Sequence, residues 1–155
     1  MPTNVTYITT SQITHIGNGS SVAAGAMSAS TDTSTALTTT NMNGWPFCDL
    51  QLTVSCSTSI SSASNYIVVH RRDIDVDGTN DEPVPATATT TLWNKPVGVF
   101  PIQATSTSVA SKTYNICDVP LPATGKCEFY LENKLNVAMA AGWLLKVIPK
   151  TYSLA

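Results

Sequence analysis

Between Cys48 and Cys56 the chain alternates without a break: Cys48, Leu50, Leu52, Val54 and Cys56 are apolar, and Asp49, Gln51, Thr53 and Ser55 are polar. Side chains two residues apart lie on the same side of a pleated strand. The pattern therefore specifies a strand with one face in a core and the other in water. A second alternation sets Cys127, Phe129 and Leu131 on one face and Glu128, Tyr130 and Glu132 on the other. After it come a small-residue bridge, Val137 to Gly142, and an apolar run from Trp143 to Ile148 closed by Pro149. Gly142 and the shortness of the bridge favour a compact loop. The stretch 126–152 thus reads as the closing hairpin of an all-β domain.

The rest of the chain repeats the theme. Residues 4–16 are rich in Thr, Val and Ile but alternate imperfectly, which suits an extended arm followed by a first strand. Val22, Ala24 and Ala26 suggest a strand over 20–30 packed closely against a neighbour, and 31–43 reads as a surface strand or a long loop. Further strands are expected over Tyr66 to His70, Thr87 to Trp93, Pro96 to Ala104 and Tyr114 to Val119, punctuated by Pro, Asn-Gly and Asp-Gly signals. Short strands at this spacing, with almost no helical periodicity, predict a β-sandwich or jelly roll of about eight strands. The expected organisation is an extended arm over 1–14 and one domain over 15–155.

Composition narrows the function classes. Charged residues make up 12% of the 155-residue chain, against roughly 25% in an ordinary soluble domain. Ser and Thr take their place at about a quarter of the residues, a usage that suits solvent faces of strands and loops. A formal net charge of −2, with Arg71-Arg72 as the one adjacent basic pair, makes no electrostatic case for nucleic acid. No apolar run reaches the length of a membrane-spanning helix. The opening MPTNVTYITT has neither a basic leader nor an apolar h-region, so no secretory signal is expected.

The reactive residues form no catalytic signature. Cys48, Cys56, Cys117 and Cys127 contain no CxxC pair, and His15 and His70 stand alone, so no zinc site is expected. Cys48 and Cys56 share one strand face, and at about 3.3 Å per residue they lie over about 20 Å apart, too far to bond. Buried thiols are the plainer expectation for all four, with a Cys117–Cys127 bridge across a turn as the alternative. The segment Asp73-x-Asp75-x-Asp77-Gly78-x-Asn80-Asp81 has the acid spacing of a calcium loop. Val84 stands where the bidentate acid belongs and no helix pattern flanks the loop. A hairpin tip at Asp77-Gly78 competes with a weak, non-EF calcium site. No GxSxG is present, and Glu128 and Glu132 lie on an expected solvent face rather than across a cleft. Neither an enzyme nor a cofactor is expected. Trp45, Trp93 and Trp143 read as core or subunit-interface residues rather than ligand platforms.

Three segments carry a family resemblance. They are Tyr66 to Arg72 leading to Asp77-Gly78-Thr79-Asn80; Val97-Gly98-Val99-Phe100-Pro101-Ile102; and an ending with Pro120-Leu121-Pro122, Gly125, Phe129, Leu131, Asn133, Ala138 to Gly142, Leu144-Leu145-Lys146-Val147 and Pro149. Over about residues 45–152 the chain resembles jelly-roll capsid decoration (cement) proteins of tailed bacteriophages. The resemblance implies a virion protein made in the host cytoplasm and carried on the capsid surface. It implies a homotrimer whose partner is the major capsid protein and which clamps neighbouring shell subunits, with no nucleic-acid or membrane partner. The N-terminal arm lies outside the matched pattern, and Val5, Tyr7 and Ile8 are its candidate contact residues, since an extended arm can bind by adding a strand to another sheet. Two alternatives share the architecture: a glycan- or receptor-binding module of a tail or fibre, which would show exposed coplanar aromatics, and a self-assembling structural subunit.

Overall fold

In the computed structural model, residues 5–33, 35–38, 40–63, 65–74, 81–85, 95–122 and 126–154 are described. They form nine strands: β1 (Val5–Thr9), β2 (Ile13–Gly19), β3 (Leu37–Thr38), β4 (Phe47–Cys56), β5 (Tyr66–Ile74), β6 (Lys95–Pro101), β7 (Val109–Pro120), β8 (Lys126–Asn133) and β9 (Trp143–Leu154). A single 3-10 turn, Ser30–Asp32, interrupts them, and no α-helix occurs among the described residues.

The strands make two antiparallel sheets that pack as a sandwich. One has the order β1-β9-β4-β7, with β2 also paired to β9, and the other has the order β3-β8-β5-β6. β1 and β2 lie end to end along the same edge of β9, Val5–Thr9 against Leu154–Lys150 and Ile13–Gly19 against Val147–Trp143. Counted as one interrupted strand, they reduce the nine strands to eight. From β2 onward every connection crosses between the sheets except β5 to β6. This is the jelly roll that the alternation and turn spacing predict.

The alternation of β4 is realised residue by residue: Cys48, Leu50, Leu52, Val54 and Cys56 are buried, and the residues between them are half-buried. Leu145 and Val147 of β9 join them, facing Ile67 and Val69 of β5, Phe129 and Leu131 of β8, and Phe100 of β6 across the sandwich. Each such side chain contributes about 1.5–3 kcal/mol by leaving water. Cys48, Cys56 and Cys127 belong to this core, Cys117 is exposed, and all four thiols are free. The alternative Cys117–Cys127 bridge is not formed: Cys117 is exposed, whereas Cys127 is fully buried in the core.

The closing-hairpin expectation is corrected. β8 belongs to the second sheet and β9 to the first, so residues 134–142 cross the sandwich instead of turning back within one sheet. Two strands with one apolar face each look the same in sequence whether they are neighbours or face each other about 10 Å apart. The crossing is held by the buried Asn133. Its Nδ2 donates to the carbonyls of Val22, Ala23 and Val137, and its Oδ1 accepts from the Leu135 N–H. Met139, fully buried at the middle of the crossing, forms single bridges with Val22 and Cys56.

The stretch 20–30 is likewise no regular strand. Its amides and carbonyls satisfy the free edge of β8 instead: Gly25 N–H to Asn133, Ser28 N–H to Leu131, and Asn133 N–H to Ala26. Its weak side-chain pattern has too little apolar surface to hold a continuous ladder. The expected strand over Thr87 to Trp93 and the Asp77-Gly78 tip lie outside the described residues.

Candidate partner-binding surface

β4 pairs with β9 only as far as Phe47 opposite Lys150. From Thr151 to Leu154, β9 has β1 as its single paired neighbour among the described residues. These two strands therefore overhang the sandwich as a ribbon, and among the described residues no strand pairs with the far edge of β1. Tyr7, Ile8 and Tyr152 are 65%, 45% and 45% exposed, among the most exposed large apolar side chains described. Tyr7 sits directly opposite Tyr152, and Ile8 faces the other way. Val5, opposite Leu154, begins the ribbon. The three residues predicted as arm contacts thus all belong to β1, on one overhang.

A charged cage anchors the base of this ribbon. Lys150 is only 6% exposed although its side chain leaves the outer face of the sheet. Its Nζ meets Asp49 of β4 at 2.5 Å and Asp118 of β7 at 2.9 Å. It also lies 5.9 Å from the Tyr7 ring centre and 6.0 Å from that of Tyr152, within cation–π range. Asp118 reaches the cage through a bulge. Between Leu50–Ile116 and Cys48–Val119, the residues Cys117 and Asp118 stand opposite Asp49 alone, and Asp118 adopts φ of +61°. Its N–H donates to Asp49, and its carboxylate accepts the Tyr152 hydroxyl.

Electrostatics follow from these contacts. Burial alone would drag the Lys150 ammonium down, but the bonds to Asp49 and Asp118 outweigh it and raise its pKa. The Tyr152 hydroxyl and Lys150 hold Asp118 below the usual carboxylate range. Phe47 packs edge-on against Tyr152, 5.8 Å between centres. The Tyr152 ring is fixed at both its edge and its hydroxyl, so an exposed aromatic face is presented rigidly, at little further entropy cost to a partner.

β1 also lacks the devices that usually blunt an edge strand. Its five residues carry no charge and no proline, whereas β6 carries Lys95, Pro96 and Pro101, β7 carries the Asp118 bulge, and β3 is two residues long. An uncharged, β-branched, open edge is a template for another strand.

The other sequence candidates are placed differently. Asp73 points inward at the end of the sandwich, where Arg71 meets it at 2.8 Å and Lys95 at 3.1 Å. Its backbone N–H donates to Glu82. Two cations already neutralise this carboxylate; Asp75 and Asp77 lie outside the described residues. No cluster of three metal-ligating side chains and no pocket occurs among the described residues.

Glu128 and Glu132 are half-buried rather than solvent-facing. Arg72 and the Tyr130 hydroxyl bind Glu128 at 3.2 and 2.7 Å, and His70 and Lys134 bind Glu132. Lys95 and Lys134 are partners in these networks. Trp143 is buried and donates its indole N–H to Ser20, and Trp45 is half-buried. Trp93 lies outside the described residues.

The cage is the feature that sequence reasoning missed. Its charged members come from three different strands, with Asp118 lying 69 positions after Asp49 and Lys150 further along the chain in β9. The only local hint is a polar interruption, Cys117-Asp118, in an otherwise apolar strand end. No family model matches this chain, and no curated protein matches it significantly.

Proposed function

We propose that this chain is a virion structural protein that binds the outside of an assembled bacteriophage capsid as a trimer and stabilises it by clamping neighbouring major capsid subunits. The observation that carries this reading is the β1–β9 ribbon: an open, uncharged edge with Tyr7, Ile8 and Tyr152 exposed on a rigid sandwich. A clamp needs an adhesive element reaching beyond a stable body. Main-chain pairing supplies affinity along such an edge, and buried tyrosines make strong anchors in protein interfaces. The low charge of the chain lets its Thr-bearing strands approach another surface with few charges to desolvate.

The test removes β1 and spares β2. Deleting residues 1–9 takes away no described core residue, so a folded protein is expected. Loss of co-sedimentation with purified shells supports the proposal, while retention of full binding overturns the role of the ribbon. Copy number in particles tests the wider claim. A ratio near one per major capsid subunit fits a lattice-covering clamp, and absence from particles sinks it.

The exposed pair Tyr7 and Tyr152 also favours a second reading, a glycan- or receptor-binding module of a tail or fibre. Aromatic faces beside the ionised Asp118 suit sugar rings and their hydroxyls. A handful of copies per particle, together with glycan binding lost in Tyr152→Ala, would select it.

A further inference from the structure

His15, in the middle of β2, is completely buried. Its carbonyl accepts the Thr35 N–H at 3.1 Å, and its Nδ1 lies 2.7 Å from the Thr35 carbonyl oxygen. On the opposite side of the ring, Nε2 lies 2.9 Å from the backbone nitrogen of Phe129 in β8. A carbonyl can only accept and an amide N–H can only donate. Nδ1 must therefore carry the proton and Nε2 must be bare. The neighbours dictate both the charge state and the tautomer.

We propose that His15 is a pH-sensitive latch: uncharged, it fastens the N-terminal strand of one sheet to β8 of the other and to Thr35, and protonation releases that seam. A proton on Nε2 would point at the Phe129 N–H, turning an attraction into a donor–donor clash and leaving that amide unsatisfied. The new charge would also lie in a fully buried site. The imidazole packs edge-on to the Phe129 ring, 5.9 Å between centres.

The charged groups around the ring do not rescue it. Glu128, next to Phe129 on β8, favours protonation, but its carboxylate is held by Arg72 and the Tyr130 hydroxyl. Asp32, in the 3-10 turn, is bonded to the N–H and hydroxyl of Ser20 and to the Ala29 N–H. From β9, Lys146 stands opposite the adjacent Thr14. Burial is the largest influence on His15 and lowers its pKa from the ordinary 6.5. His70 is a separate case, bonded to Glu132 on the outward-facing side of the second sheet.

The sign follows from linkage. An opened seam exposes an imidazole that takes up a proton below pH 6.5, while the closed seam holds it neutral. Opening therefore gains about tenfold per pH unit as the pH falls below that value, down to the closed-state pKa, and is unaffected above it. The latch is a property of the fold and stands whatever partner β1 takes.

Amide hydrogen exchange across this range tests the proposal, read as protection factors so that the intrinsic pH dependence of exchange cancels. Protection at Phe129, Thr35 and the β2 amides is expected to fall about tenfold per pH unit on the acid side. His15→Gln offers the same acceptor and donor without titrating, and its protection should stay flat. His70→Gln should behave like the natural protein. A flat profile in the natural protein, or an unchanged slope in His15→Gln, overturns the latch. Should His15→Gln fail to fold, the imidazole nitrogen shifts of the natural protein decide. A bare Nε2 that protonates only as the Phe129 amide loses protection supports the proposal; free titration with that amide still protected refutes it.

Discussion

The two halves of the N-terminal strand pair with the same edge of β9 and meet opposite fates. β2 is backed by the second sheet: His15, Ile16 and Gly19 are buried, and His15 reaches across to β8. β1 has no such backing among the described residues; its side chains from Thr6 to Thr9 are exposed, and it is held by the ladder to β9 and the Lys150 cage. The ladder is common to both. What differs is whether another layer lies behind the strand, and this separates a structural half from a half free to bind.

Substitutions along this one strand should separate just as sharply. The largest effect is expected at Gly19, where an added Cβ would lie 1.9 Å from the Trp143 ring. Trp143 is held in place by its indole bond to Ser20. Gly19→Ala should cost about 3 kcal/mol or more by forcing the strand or the ring to move, measured by denaturant unfolding. A loss within 0.5 kcal/mol, roughly the scale of a neutral surface change, would break the comparison at its rigid end.

An intermediate effect is expected from Lys150→Met. Removing the ammonium leaves Asp49 and Asp118 facing each other without a cation. The ribbon should loosen, seen as faster exchange of the Thr6 to Thr9 amides, while the β2 amides keep their protection. Equal loosening of both halves would show that the cage supports the whole strand. The smallest effect on stability belongs to Tyr7→Ser, within about 0.5 kcal/mol, although partner binding should fall. Tyr7 is the most exposed of the large apolar side chains described. A Tyr7→Ser protein that unfolds readily would make the tyrosine structural and remove it from the proposed contact.

Some of this was legible in the residues themselves. The alternation of β4 and β8 announced the core-facing side of each strand, because a strand places successive side chains on opposite sides whatever surrounds it. Val5, Tyr7 and Ile8 stood out as uncharged apolar residues before the first turn signal, and they do fall on one overhanging strand. Sheet membership was not legible, because Phe129 and Leu145 present the same pattern whether their strands are neighbours or face each other. Glu128 and Glu132 looked solvent-facing for a similar reason. Alternation reports which side a residue is on, and only the neighbouring β5 supplies the Arg72 and His70 that bind them. The lone His15 carried no local sign of its role, since its partners Thr35 and Phe129 are brought to it from distant parts of the chain.

What the sequence by itself determined is therefore local and periodic: an all-β chain, its strongly alternating strands with their apolar faces, and an uncharged N-terminal end. The tertiary structure alone decided which strands became neighbours, and with them the Lys150 cage, the His15 tautomer and the overhang of β1. The physical reason is range. Backbone pleat and turn preference act over a few residues, whereas a carboxylate beside an ammonium, or an imidazole between two backbone groups, exists only once distant segments have packed together.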